Sequence, residues 1–447
     1  MRPRPLRTLA PLLSPVLALA AACAGDDMSE GSATDTGGTT TATTSTATSG
    51  ATTGAATETS GGSASSTSDT GTTDTTTSGT TTTGTTGTTT DDPTGTSGTT
   101  TGGALENPDN RFGMGLVIPG DSEQIGLSAN LNGAGAGIRL TFPGITKDMH
   151  EAPADWKQAA QMAYDADQVP VIRLGPPWGD RKVRNQSDDA EHLDYSALAQ
   201  AYADVVASLP KRDGWPMYIE VHNEPNLCYE WTCDPGDGND GWLGYQQTAT
   251  EYAHMLADVA DALHALGDPR IKVLNGGLAP GGAVECQCGG EDFKPGVTSI
   301  PFVEAMLTAV PDLGDKLDAW ASHPYPAQGE GWGFFVSYQE PDWRAATGLL
   351  YYKKELEVIG DLPVIITETG WTVDPNKGAE GNRDQVAAWT KSAYEEVWLV
   401  EPEIVHVLPF MLKDPSWDDF AWVDAGGNHY PVYDAVRGLR CQVQGGC

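Results

Sequence analysis

The chain is poor in positive charge, with 26 Lys and Arg against 61 Asp and Glu and a formal net charge of −35. Phosphate backbones and anionic headgroups are bound through clustered Lys and Arg, so nucleic acid is excluded as a partner. It also lacks any apolar run long enough to cross a bilayer; the most apolar stretch, Leu9 to Ala22, is too short. Histidine is scarce at 8 residues, and His222, His323 and His406 fall on different β-rich runs without a matching carboxylate set. The first such run, Phe112 to Ile118, holds no His-x-His pair, which argues against a catalytic metal and leaves at most a structural calcium in acidic loops. A dinucleotide fingerprint is missing too: Gly113-Met114-Gly115 lies inside that run and opens no helix, so no cofactor is expected.

What is present divides the chain into three parts. Residues 1–23 begin with basic Met1-Arg2-Pro3-Arg4 and run through apolar residues to Ala20-Ala21-Ala22-Cys23, which reads as an export signal. The small residues before Cys23 resemble a bacterial lipoprotein cleavage box, with Ala20 standing where Leu is usual. The expectation is an acylated Cys23, a membrane contact made by that lipid anchor alone, and a place on a bacterial cell surface or outer membrane; ordinary signal cleavage and secretion is the alternative. Residues 24–104 are almost wholly Thr, Gly, Ser and Ala and cannot bury a core. Such a coil is a tether whose ends sit roughly 50 Å apart. Residues 105–447 carry no second low-complexity stretch and read as one monomeric domain.

Setting Cys23 aside, the cysteines are Cys228, Cys233, Cys286, Cys288, Cys441 and Cys447. An even number in an exported chain favours disulfides over metal ligands. Cys441 with Cys447 would clip the C-terminus, while the pairing of the other four stays open.

Eight short β-rich runs recur through the domain: Phe112–Ile118, Gly137–Phe142, Val169–Leu174, Met217–His222, Ile271–Asn275, Leu317–Ser322, Pro363–Thr367 and Ile404–Phe410. Helical spacing follows several of them. After the fourth, Tyr252, Met255, Leu256, Val259 and Leu263 repeat at three- and four-residue steps, with Gly267 placed for a C-cap. Weaker helical patterns cover residues 154–166, 195–209, 302–310, 343–359 and 384–400. This alternation calls for a parallel sheet covered by helices, and eight units predict an α/β fold of the (β/α)8 TIM barrel type.

Reactive groups of such a barrel come from the C-terminal ends of its strands. Two carboxylates stand there, Glu224 in Asn223-Glu224-Pro225-Asn226 after the fourth run and Glu368 in Thr367-Glu368-Thr369-Gly370-Trp371 after the seventh. Cleavage of a glycosidic bond needs two carboxyl groups in one cleft, one to protonate the leaving oxygen and one to meet the anomeric carbon.

With those motifs and Ser322-His323-Pro324-Tyr325-Pro326, the stretch 112–438 resembles clan A of the glycoside hydrolases, nearest to families 5 and 39. His222 stands where the clan often has Trp or Gly. The resemblance implies Glu224 as general acid/base and Glu368 as nucleophile of a retaining mechanism. It implies that Arg139, with Arg173 as its rival, holds the nucleophile ionised. By the same resemblance Asn223 meets a sugar 2-hydroxyl, His323 and Tyr325 orient nucleophile or sugar, and Trp417 is a stacking platform. Among the loop tryptophans, Trp178, Trp231, Trp242, Trp332 and Trp371 are further subsite candidates. The substrate class implied is β-linked polysaccharide, cleaved internally as by a β-glucanase, mannanase or xylanase. Exo-β-glycosidase action, transglycosylation and a catalytically inactive glycan-binding lipoprotein are the alternatives.

Overall fold

A computed structural model of the chain describes residues 109–176, 183–231, 244–280, 285–287, 293–295, 297–326, 348–375 and 381–447. The expected signal and tether, Cys23, Cys233, Cys288, Trp178, Trp242 and Trp332 lie outside them, as do the side chains of Cys228 and Cys286. Among the described residues no helix is long and apolar enough to cross a membrane.

The first half alternates strand and helix: β1 Gly113–Leu116, α1 Ser122–Asn132, β2 Gly137–Pro143, α2 Ala154–Asp165, β3 Val169–Gly175, α3 Ser196–Ser208, β4 Met217–Val221, the short α4 Cys228–Trp231, α5 Tyr245–His264 and β5 Ile271–Asn275. A small antiparallel pair, β6 Glu285–Gln287 and β7 Phe293–Pro295, precedes α6 Ser299–Ala309. Then come β8 Trp320–Ser322, α7 Tyr352–Ile359, β9 Val364–Ile366, α8 Arg383–Ala393, β10 Ile404–Val407 and α9 Pro431–Val443. All eight β-rich runs of the sequence are therefore strands: β5 matches its run, β2 and β3 extend one residue further, and the other five are shortened by one to three residues at one or both ends.

β1 to β5 form one parallel sheet in sequential order, and β10, β9 and β8 form a second. The sheets meet at two seams. At one, Asp318 donates its backbone N–H to Val273 at 3.0 Å, and Leu274 bridges Ala319. At the other, Val407 donates to Arg111 at 2.8 Å and Gly115 to Pro409 at 3.0 Å. The strands thus follow one another around a (β/α)8 barrel, the expected fold.

Inside the sheets lies a packed layer of Val169, Val171, Tyr218, Leu274, Ala319, Ala321, Ile365 and Leu408. Glycine makes room for it: a Cβ on Gly113 would run into the Leu408 side chain and stand 2.7 Å from the Gly137 carbonyl. Outside, α5 buries the predicted stripe of Tyr252, Met255, Leu256, Val259 and Leu263, each contributing roughly 1.5–3 kcal/mol. It ends at His264, and Gly267, at φ 66°, closes the turn by donating to the His264 carbonyl at 3.0 Å.

Two helices depart from the sequence expectation. Regular helix in the 384–400 pattern stops at Ala393, then widens into a π-helical turn over Tyr394–Trp398 whose buried Tyr394 and Trp398 pack at 4.8 Å. The 343–359 pattern is helical only from Tyr352 among the described residues. At the C-terminus Cys441 and Cys447 are bonded, with Cα atoms 4.9 Å apart.

Candidate active site

Directly above the apolar layer the strand ends turn polar. On β4, Tyr218 and Glu220 face the barrel interior while Met217, Ile219 and Val221 face the helices. His222, with φ 78°, breaks that alternation, and its ring packs outward against Trp231 and Tyr252. Glu224 is also left-handed, with φ 37°, a conformation non-glycine residues seldom adopt. Hydrogen bonds hold it there. Glu224 donates its N–H to the Gly277 carbonyl at 2.9 Å, and its own carbonyl accepts from Leu227 at 2.8 Å. Asn226 ties down the next residues, its amide donating to the Ala279 and Val297 carbonyls at 2.7 and 2.9 Å.

Glu368 follows β9 and lies under the same opening. Its carboxylate accepts from Arg139 Nη1 at 2.7 Å and from the Tyr325 hydroxyl at 2.9 Å. One oxygen of Glu224, one of Glu368 and a ring nitrogen of His323 lie within 4.8 Å of one another. The two carboxylic side chains retain 16% and 12% exposure, so each presents an edge to the mouth. Among the described residues these are the ligand-type atoms that converge, and each is already committed to a protein hydrogen bond that a cation would have to displace.

Beneath them runs a continuous polar network. Arg139 donates from Nε to Glu220 at 2.6 Å and from Nη2 to Glu220 and to Asn223 Oδ1 at 3.1 and 3.0 Å. The Thr367 hydroxyl donates to Glu220 at 2.9 Å, and the Gly277 N–H does so at 3.2 Å. His323 joins Thr367 Oγ1 at 3.0 Å through Nε2 and Glu224 at 2.9 Å through Nδ1.

The environment separates the two carboxyls. Burial pushes Glu224 above the usual carboxylate range, and the negative Glu368 adds to the rise, outweighing His323. Burial acts on Glu368 in the same sense but is overcome by the positive charges of His323, Arg139 and Arg173, which hold it below that range. For His323, burial favours the neutral ring; Glu368, Glu220 and Glu224 outweigh it and raise the ring to about 9. Glu220 is kept ionised against its burial chiefly by Arg139. One carboxyl whose proton affinity is raised beside one whose affinity is lowered is the arrangement that acid-plus-nucleophile chemistry requires.

The structure thus brings Glu224, Glu368, Arg139, Asn223, His323 and Tyr325 together. Arg139 makes the 2.7 Å contact with Glu368, whereas Arg173 pairs with Glu230 at 3.8 Å and adds its positive charge to the field at Glu368. Two expectations need correction. His323 is 0% exposed and beneath the carboxylates, so it orients Glu224 and cannot touch a sugar. Trp371 is 2% exposed, packed against Trp389 and Trp398, and offers no stacking face; Trp231, at 0%, is likewise core and donates its indole N–H to Glu251 at 3.2 Å. Both indoles are large apolar groups that the helices bury behind the strand ends.

Trp417 is different, 39% exposed in a single 3-10 turn, Pro415–Trp417. It stands edge-on to Phe410 and Phe420, and Phe420 in turn meets Tyr325 at 6.4 Å, so aromatic rings lead from Glu368 toward solvent. Phe410 and Phe420 escaped the sequence reading because apolar residues in an apolar run carry no signal. Glu220 and Thr367 escaped it as well, although a charged residue amid Tyr218-Ile219-Glu220-Val221 is the mark of a buried ion pair.

No family model matches the sequence, and no curated protein does. Among solved structures, the chain is similar to a family 5 (subfamily 18) glycoside hydrolase from Bifidobacterium longum subsp. longum, in complex with Manβ1-4GlcNAc. That match has a TM-score of 0.50 and 13% identity, covering 75% of this chain and 78% of that one. A family 39 glycoside hydrolase from Bacteroides cellulosilyticus matches with a TM-score of 0.47 at 19% identity, over 74% of this chain and 63% of the other, so the present chain spans less than two thirds of that protein. The first of these likenesses shows the barrel fold.

Proposed function

We propose that this chain is a retaining glycoside hydrolase that cleaves β-linked polysaccharide by double displacement. The observation that carries the reading is the close approach of Glu224 and Glu368, oxygens within 4.8 Å, with their proton affinities displaced in opposite directions. Retaining pairs stand about 5–5.5 Å apart, and inverting pairs need about 6.5–9.5 Å to admit a water.

In the first step Glu224 gives its proton to the glycosidic oxygen as the C–O bond breaks, and Glu368 forms a bond to the anomeric carbon. In the second, Glu224 takes a proton from water, whose oxygen displaces Glu368 and restores the original anomer. Arg139 and Tyr325 keep the nucleophile ionised and aimed. Asn223, its Oδ1 fixed by Arg139, has its amide nitrogen to donate to the 2-hydroxyl. The exposed Trp417 favours a sugar chain, since an indole packs against C–H faces while the hydroxyls stay wet. Endo action on a glucan, mannan or xylan is the finer part of this reading, as are the acylated Cys23 and the Thr-rich tether that would hold a monomeric domain off a bacterial surface.

The test is hydrolysis of a panel of β-linked polysaccharides by wild type, Glu224→Gln and Glu368→Ala, with the product anomer followed by NMR. Activity that first yields the substrate's own anomer and is lost in Glu368→Ala is expected. An inverted product, or binding of glycans without turnover, would overturn the proposal. Labelling with palmitate and its loss in Cys23→Ala checks the anchor.

A further inference from the structure

The hydrogen bonds under the site determine where the acid's proton can sit. Thr367 has one hydroxyl proton, and Oγ1 lies 2.9 Å from Glu220, a carboxylate that already accepts from Arg139 and the Gly277 N–H. Glu220 is ionised and can only accept, so the Thr367 proton points to it. Oγ1 is left as an acceptor for His323 Nε2 at 3.0 Å, which must therefore carry a hydrogen. A second acceptor, Glu220 Oε1, lies behind it at 3.6 Å. The other ring nitrogen, Nδ1, lies 2.9 Å from Glu224 Oε1 and 3.8 Å from Glu368 Oε2.

We propose that Thr367 and Glu220 are positioning residues for the acid: they hold the Nε2 hydrogen of a doubly protonated His323, whose second hydrogen, on Nδ1, is thereby aimed at Glu224 Oε1 and confines the acid's own proton to Oε2. The proposal rests on the function assigned above and deepens it. Neither residue can touch a substrate, since both are 0% exposed. With Nδ1–H occupying Oε1, protonated Glu224 has one oxygen left to carry hydrogen, and the carboxyl's remaining exposure is what the leaving oxygen meets. The ring has no freedom to rotate away. Gly277 lies against it so closely that a Cβ there would overlap Nε2, and both nitrogens are bonded.

The charges facing the ring come from several elements. Glu220 and Glu224 belong to β4 and its end, Glu368 follows β9, and Glu355 of α7 acts from behind, bonded to Ser322 and Trp320. Tyr325 and Arg139 touch Glu368, and Arg139 also neutralises Glu220. Their balance favours a protonated ring, in line with its rise to about 9.

Two measurements on the full chain test the assignment. The first compares kcat/KM for an unactivated oligosaccharide with that for the 2,4-dinitrophenyl glycoside of the same sugar, whose leaving group needs no acid. In Thr367→Val the ratio of the two should fall at least about tenfold, and Thr367→Ser should restore it. Equal losses on the two substrates would overturn the proposal. The second is imidazole ¹⁵N NMR, the His323 signal being identified among 8 histidines by its loss in His323→Asn. Nε2 should stay protonated throughout while Nδ1 titrates near 9; a neutral ring bearing its proton on Nδ1 would overturn it. A wild type inactive on every glycan would sink the functional reading alone, and the spectrum would still decide the positioning.

Discussion

His406 makes a quantitative prediction about acid stability. The ring lies at 0% exposure inside the barrel, edge-on to Tyr218 at 6.0 Å, with its Nδ1–H donated to the Asn110 carbonyl at 2.9 Å. Nε2 has no hydrogen-bond partner among the described residues. Charging this ring would place a cation in the apolar layer, and burial accordingly lowers its pKa from the usual 6.5 to about 4. Because the folded value lies below the unfolded one, the unfolded chain takes up the proton first as pH falls. Stability is thus lost from about pH 6.5 downward and the loss levels off below about pH 4. At about 1.36 kcal/mol per unit, this is roughly 1.4 kcal/mol at pH 5.5 and about 3 kcal/mol once both states are protonated. Urea unfolding of wild type and His406→Gln at pH 7.5, 5.5 and 4 isolates the contribution, since glutamine keeps a donor for Asn110 and does not titrate. The difference in stability between the two proteins should shrink by about 3 kcal/mol on acidification. Parallel pH curves would refute the reasoning. His323 works in the opposite sense: its folded pKa is raised, so its contribution is full below the unfolded value and is lost as pH rises through about 9.

Replacing Arg139 by Gln removes a cation 2.7 Å from Glu368, so the acid limb of the kcat/KM profile should move to higher pH; an unmoved limb would show that His323 and Arg173 suffice. Gly277→Ala would press a Cβ onto the His323 ring and stand 2.9 Å from Thr367 Oγ1. The expected cost is about 1–3 kcal/mol, visible as a lowered Tm, together with a loss of activity beyond what that destabilisation explains. Trp417→Ala should raise KM for long oligosaccharides about two- to tenfold and spare kcat, since stacking worth about 0.5–1.5 kcal/mol is made equally in ground and transition states. A fall in kcat alone would place the indole elsewhere in the reaction.

The barrel was legible in the sequence because its strands are short apolar runs ending in polar residues, and Ile271–Asn275 matches the observed strand residue for residue. Glu224 and Glu368 stood out for the same reason, as carboxylates at the close of such runs. What escaped depends on contacts between distant segments. Thr367 reads as an ordinary strand-end residue until β4 brings Glu220 beside it, 147 positions away in sequence. The exposure of Trp417 and the burial of Trp371 were equally hidden: both are tryptophans after a strand, and only the packing of Trp389 and Trp398 over one of them sets them apart.

The buried network sits in a chain of net charge −35 and yet is close to electrically balanced. Glu220, Glu368 and the protonatable Glu224 are met by Arg139, His323 and the nearby Arg173. Compensated charges separated by under 4 Å cast little field beyond the mouth, while the acidic exterior is screened over about 10 Å at 0.1 M salt. An uncharged sugar chain is neither drawn in nor repelled by such a surface. Encounter with substrate is then governed by shape and stacking, and turnover should hold nearly constant from fresh water to brine.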